Sequence, residues 1–515
     1  MFPPFRPAAL LAAACVAICL CGPLMHADGQ VPVAARPASP SAGRDVFRFA
    51  TFGTEGFWTD AVRLPQGLAG KKVTPLGALD MGLSLDADAI PADLKATLVA
   101  EFGTDRTAAN APKLNDPATT ARLIEANAVI GLVPVAGKLG ISCALCHTIT
   151  DASVYDALGK GSVGRRLDTR TSHVLNIGEL FATAANSRAL YPILQLQDGD
   201  RTIGRAPRGL TAASTEEDVD AYLSNPESYP VGTLDATSDG HGNSTVIMPV
   251  FRQDLAARFG SPGESDTFAD SSNRTYTTLL DLTIFLTPEG RKFTAKTGGA
   301  AGTKILDDYE KILKETGVEG YPFLKATIQG EVGKSPTPLG RRVDEAQLAD
   351  LTAFCQAVQA PAGVAGDPGA VARGRALFQG RCTACHGENA LQPVPPTVVD
   401  LGTLWPGYAP RVMLARELPL TALQDSPGTY DDHVVSTDAS GGGKPRGFAL
   451  PLLLDLGRKP ILLHDGSVKG LGSLLDPARG PAAPHPVYVS DDGARADLVA
   501  FLRSLGSTSS PASAR

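Results

Sequence analysis

Three of the eight cysteines, Cys15, Cys19 and Cys21, lie in an apolar N-terminal run, and four of the remaining five form two copies of one pattern. Cys143 and Cys146 precede His147 in "CALCH", and Cys382 and Cys385 precede His386 in "CTACH". Two thiols one helical turn apart, followed by an imidazole, suit three chemistries: half of a zinc site, a redox-active dithiol, or covalent haem attachment. A structural zinc site needs four ligands at close spacing, and neither motif has a second Cys/His pair nearby. A thioredoxin-like pair follows a strand in a βαβ unit, and neither flank reads that way. Repetition of the full Cys-x-x-Cys-His pattern favours haem c. The thiols bond to the two vinyl groups, and His147 or His386 falls under the iron as the proximal axial ligand.

These motifs need helices to hold them. "ADLTAFCQAV" (349–358) and "ADLVAFLRSL" (496–505) carry apolar residues at i, i+3, i+4 and i+7, the period of an amphipathic helix. Asp344 with Gln347 three positions on makes a capping box for the first. Cys355 aligns with Leu502, so it reads as a small core side chain rather than a reactive thiol. Each helix closes a unit that opened with a haem motif, and the Pro/Gly/Ala-rich residues around 362–369 read as a linker. The expected organisation is a signal peptide (1–27), an N-terminal extension (28–115), a first haem domain (116–361), the linker, a second haem domain (370–506) and a disordered tail (507–515). The extension carries no haem motif and is expected to pack on the first domain. The fold class is mainly α: two haem domains with long loops, the first enlarged.

The chain has 515 residues, 43% hydrophobic and 20% charged, with a formal charge of −7. No Lys/Arg run provides an electrostatic footprint for nucleic acid or an anionic membrane. "MFPPFR" followed by "PAALLAAACVAICLCG" reads as an export signal, too short and broken for a membrane span. The mature protein is expected in the periplasm or outside the cell, with no transmembrane segment. "SGGGKPRG" (440–447) has no Ser/Thr after its lysine and is no phosphate loop. "DATSDGHGNS" lacks EF-hand spacing.

"VARGRALFQGRCTACHGENA" (371–390) resembles the opening of class I cytochrome c domains, with Gly374 and Phe378 on one helical face before the motif. "PILLHDGSVKGLGSLL" (460–475) resembles the His-Asp-Gly segment of bacterial di-haem cytochrome c peroxidases and their relatives, the MauG-type proteins and di-haem rubber oxygenases. The resemblance is specific over 370–505; upstream only the haem motif and the order of parts match. It implies an exported, largely helical protein with two haem c groups, compatible with a calcium ion between the domains. It also implies a tryptophan between the haems, a place for Trp405 or Trp58. Peroxidase activity does not follow from membership alone.

Function turns on the sixth position of each iron: Met or His there closes the haem for electron transfer, and an open position admits peroxide or oxygen. The second haem has His464, Met413 and His485 within reach of the sequence. In the peroxidases a methionine follows the His-Asp-Gly loop; here "LLDPARGPA" has none, which favours His464, with Met413 as the alternative. Pro395 or Pro396 can offer a carbonyl to the His386 ring. The first haem has Met248, His173 and His241; Met248 is favoured, and plain apolar filling is an equal reading. The leading expectation is a di-haem cytochrome exchanging electrons with a small redox protein or a quinone-linked donor or acceptor. The alternatives are a peroxidase reducing hydrogen peroxide at an open first haem, or a related oxygenase. Either needs a distal base, for which Glu179 is the nearest by sequence, and no catalytic residue is assigned.

Overall fold

The computed structural model describes residues 36–197, 204–242, 244–261, 263–387, 389–404, 447–481, 483–485 and 487–507. Helix α1 (Pro40–Phe49) starts at Ser39, whose side chain accepts from Ala42 N, with Pro40 in the first turn where no amide partner is lost. Helix α2 (Phe268–Thr278) is capped by Thr267. Helix α3 (Glu345–Ala357) is capped by Asp344, which accepts from Gln347 N at 2.8 Å. Helix α4 (Pro368–Arg381) follows the Asp367 cap, and α5 (Asp492–Ser504) follows Asp491.

Two helix crossings repeat the same chemistry. In α4 and α5, a Cβ on Gly374 would stand 2.0 Å from the Asp497 carbonyl oxygen, so only glycine lets the backbones meet. Phe378 fills the crossing against Phe501, with ring centroids 5.3 Å apart. In α1 and α3, Gly43 stands in the same relation to the Asp350 carbonyl, at 1.9 Å, and Phe47 meets Phe354 at 5.4 Å. "GRDVF" (43–47) matches "GRALF" (374–378), and "ADLTAF" matches "ADLVAF". Residues 40–49, in the stretch read from sequence as an extension, thus form a helix that pairs with α3 as α4 pairs with α5. The second Cys-x-x-Cys-His motif follows α4 at once, whereas a long insertion separates α1 from Cys143.

That insertion and the one after His147 build the larger apolar core, which runs from Phe57 to Leu348 and includes Trp58, Tyr229, Tyr276 and Tyr309. A smaller core joins Phe378, Leu462, Val468, Leu471, Leu498 and Phe501. Cys355 is fully buried among Phe47, Ile130, Leu351 and Phe354, as the alignment with Leu502 requires. The expectation of a mainly α chain is too narrow: the structure is about 41% helix and 13% strand. Some strands form local hairpins, such as Leu132–Val135 with Lys138–Ile141 and Thr327–Lys334 with Thr337–Arg342, and others pair across longer stretches, such as Leu85–Asp86 parallel to Ser162–Gly164. Short β-branched runs between turn residues satisfy their own amides this way without a continuous sheet.

Candidate haem sites

The first motif enters from the strand Lys138–Ile141 and makes a single helical turn, Ala144–His147, with His147 N donating to Cys143 O at 3.1 Å. Gly131, in a left-handed conformation, backs directly onto Leu145 and fixes that turn. Three other segments converge on it. Ser172 N donates to Cys146 O at 3.0 Å, Val250 N donates to Thr169 O at 2.9 Å, and Val246 N donates to His464 O at 2.6 Å. Tyr276, fully buried on α2, places its hydroxyl 3.1 Å from Cys143 Sγ.

Both sulfurs are free thiols. Burial raises the Cys143 thiol, against the opposing contact from Tyr276, and pushes Cys146 up to about 12. Burial lowers His147 to about 4, while the nearby Met248 backbone favours its protonated form. Protein surrounds Cys143, Cys146, His147, His173 and Lys459, yet each keeps accessible surface. Nδ1 of His147 and of His173 has no hydrogen-bond partner among the described residues. A dithiol and a neutral imidazole within one helical turn are the donor set that a thioether-bound haem would take.

The second motif sits on the end of α4. Cys382 caps the helix, and Cys385 N and His386 N both turn back to Cys382 O, at 3.2 and 2.9 Å. Cys382 is half-buried and Cys385 exposed. His386 has two ring neighbours among the described residues: Phe378 at 6.4 Å and His485 at 6.3 Å, the latter with planes inclined by 45°. The His386 and His485 rings are near enough that both imidazoles could hold one metal ion.

His485 is held there by its backbone. Its φ of +56° is left-handed, an uncommon state for a residue with a side chain. Its amide donates to Leu404 O at 2.6 Å, and its carbonyl accepts from Val487 N at 2.8 Å. Downstream, Val489 N bonds Leu475 O and the Tyr488 hydroxyl bonds Gly480 O. His485 Nδ1 is buried without a hydrogen-bond partner, and burial, then His386 and Arg479, lower the imidazole to about 4.

His464 packs its ring on Phe448 at 4.7 Å, and its carbonyl ties to Val246. Its loop is further fastened by Arg205 Nη2, which donates to Asp465 O at 3.0 Å. Met248 turns its sulfur to Lys459 Nζ at 3.4 Å. Met413 and Trp405 lie outside the described residues. Trp58 stacks on Phe181 at 5.2 Å inside the large core. His241 is buried, with its amide on Asp239 Oδ1, and Glu179 starts a short helix capped by Asn176. Pro395 and Pro396 lie in the loop leading to the strand Val398–Asp400.

Among the described residues no three His, Cys, Asp or Glu side chains converge on one point. The two Cys-x-x-Cys-His motifs therefore do not pair into a shared zinc cluster, and the calcium expectation gains no site there. No described helix is long and apolar enough to cross a membrane.

No protein family matches the chain, and no curated protein matches it. Among solved structures, it is similar to a hydrazine synthase of Kuenenia stuttgartiensis pressurised with 20 bar xenon. That likeness is 14% in identity, covers 62% of this chain and 88% of the other, and has a TM-score of 0.29, below the level of a shared fold.

Proposed function

We propose that this chain is an exported di-haem c-type cytochrome whose task is electron transfer. Cys143 and Cys146 hold one haem with His147 as proximal ligand; Cys382 and Cys385 hold the other with His386. The observation that carries the reading is the 6.3 Å separation of the His386 and His485 rings. If both imidazoles held a haem iron at the second motif, they would leave no position for peroxide or oxygen, and the group would supply electron transfer alone. His485 thus replaces His464 and Met413 as the distal ligand we favour. The backbone bonds of His485 would hold its imidazole in place for that role.

The haem supplies the redox chemistry, and the chain supplies attachment, axial ligands and a low-dielectric enclosure. The partner is a small redox protein or a quinone-linked donor or acceptor, met after export through the N-terminal signal.

Low-temperature electron paramagnetic resonance on the oxidised and then the half-reduced protein tests this function. The reading predicts low-spin ferric signals in both states. A high-spin signal that binds peroxide in either state overturns pure electron transfer and installs the peroxidase account.

A further inference from the structure

Lys459 follows a helical turn of the second half of the chain and meets Met248, whose backbone lies beside the His147 imidazole. Its ammonium touches the Met248 sulfur at 3.4 Å, a weak acceptor, and no carboxylate among the described residues lies within ion-pair distance. Burial lowers its pKa to about 8, with only Asp455 opposing. Asp455 is already paired with Arg458. Arg170 belongs to the segment that bonds Cys146 through Ser172. It is half-buried beside the same Asp455 and Arg458 and has no ion pair among the described residues.

Lys459, Arg170 and Arg458 thus share one carboxylate, Asp455, and two of them lie on segments that touch the first motif, Lys459 through Met248 and Arg170 through Ser172. An enclosed ammonium costs several kcal/mol unless an anion meets it. A haem brings two carboxylates on the edge opposite its vinyl groups, and those two charges match the excess.

We propose that Lys459, together with Arg170, binds the propionates of the haem held at Cys143, Cys146 and His147, so that the second half of the chain completes the first haem's site. This rests on the haem reading of that motif. It gives the protein a direct polar link between the first haem and the segment leading to the His464 loop.

The test uses the holoprotein with Lys459→Gln and Lys459→Arg. Intact mass comes first: a wild-type chain without two haems sinks the haem reading itself. With both haems present, spectroelectrochemistry resolves two couples, and a His485→Met variant marks which belongs to the second haem. A cation beside the propionates favours the reduced iron, so Lys459→Gln lowers the first couple and Lys459→Arg restores it, with axial-ligand signals unchanged. Loss of the first haem in Lys459→Gln but not in Lys459→Arg supports the same role. The proposal is overturned by an unchanged first couple in Lys459→Gln, by equal effects or equal haem loss in both variants, by a shift confined to the second couple, or by a change of axial ligation.

Discussion

His386 and His485 carry the most specific chemistry in the chain, and they invite substitution one at a time. His485→Ala removes one axial imidazole without touching attachment, so one haem converts from low to high spin while the mass stays that of the two-haem protein. Added imidazole restores the low-spin spectrum. His464→Ala leaves the spectrum of the second haem unchanged, because that ring packs on Phe448 and its loop is held through backbone atoms. If His464→Ala opens the iron and His485→Ala does not, the ligand assignment is reversed. Cys382→Ser with Cys385→Ser removes one haem from the intact mass and leaves the other. The proposal of His147 and His386 as proximal residues rests on spacing, since thioether attachment needs both thiols and the imidazole within one turn. The nearness of His485 to His386 was not legible, because "PHPVY" around His485 carries no spacing signal. The His-Asp-Gly loop drew attention to His464 instead, whereas the structure uses that loop to tie the two halves together at Val246 and Arg205.

At the level of elements, the two helix crossings each depend on one glycine. Gly374→Val forces a side chain into the Asp497 carbonyl, and Gly43→Val does the same at Asp350. Overpacking of this kind costs about 1–3 kcal/mol, and more where the obstacle is backbone. Both variants should lower the denaturation midpoint, and the yield of doubly attached haem should fall with it. A Gly374→Val protein as stable as wild type would show that α4 and α5 do not meet closely. The second crossing was legible in the sequence because α4 and its motif are contiguous. The first was hidden because the insertion after α1 separates "GRDVF" from "CALCH", although the matching pentapeptide at 374–378 was there to be compared. The short hairpins escaped notice because two to eight residues of strand leave little periodicity to read.

Across the whole molecule, burial holds His147, His173, His464 and His485 neutral, each lowered from 6.5 to about 4. A histidine whose folded pKa lies below its unfolded value costs nothing above pH 6.5, where both states are neutral. As pH falls from about 6.5 towards 4 the unfolded chain takes up protons that the folded one refuses, so stability is lost through that window, by at most about 3 kcal/mol per imidazole. Iron held by two of these rings, as proposed, would block the same protons and leave the sign unchanged. Denaturant midpoints measured between pH 7 and 4.5 should therefore fall steadily, and a flat profile would mean the imidazoles titrate normally. The contact of Lys459 with the Met248 sulfur, 211 residues away along the chain, has no signature in the sequence.

The claim on which everything else depends is covalent attachment of haem at both motifs. Intact mass spectrometry of the protein expressed with export and cytochrome c maturation tests it most directly. The account predicts the processed chain plus two haems, unchanged by acid–organic extraction. A mass equal to the bare chain, or to the chain with a disulfide in place of a haem, contradicts it.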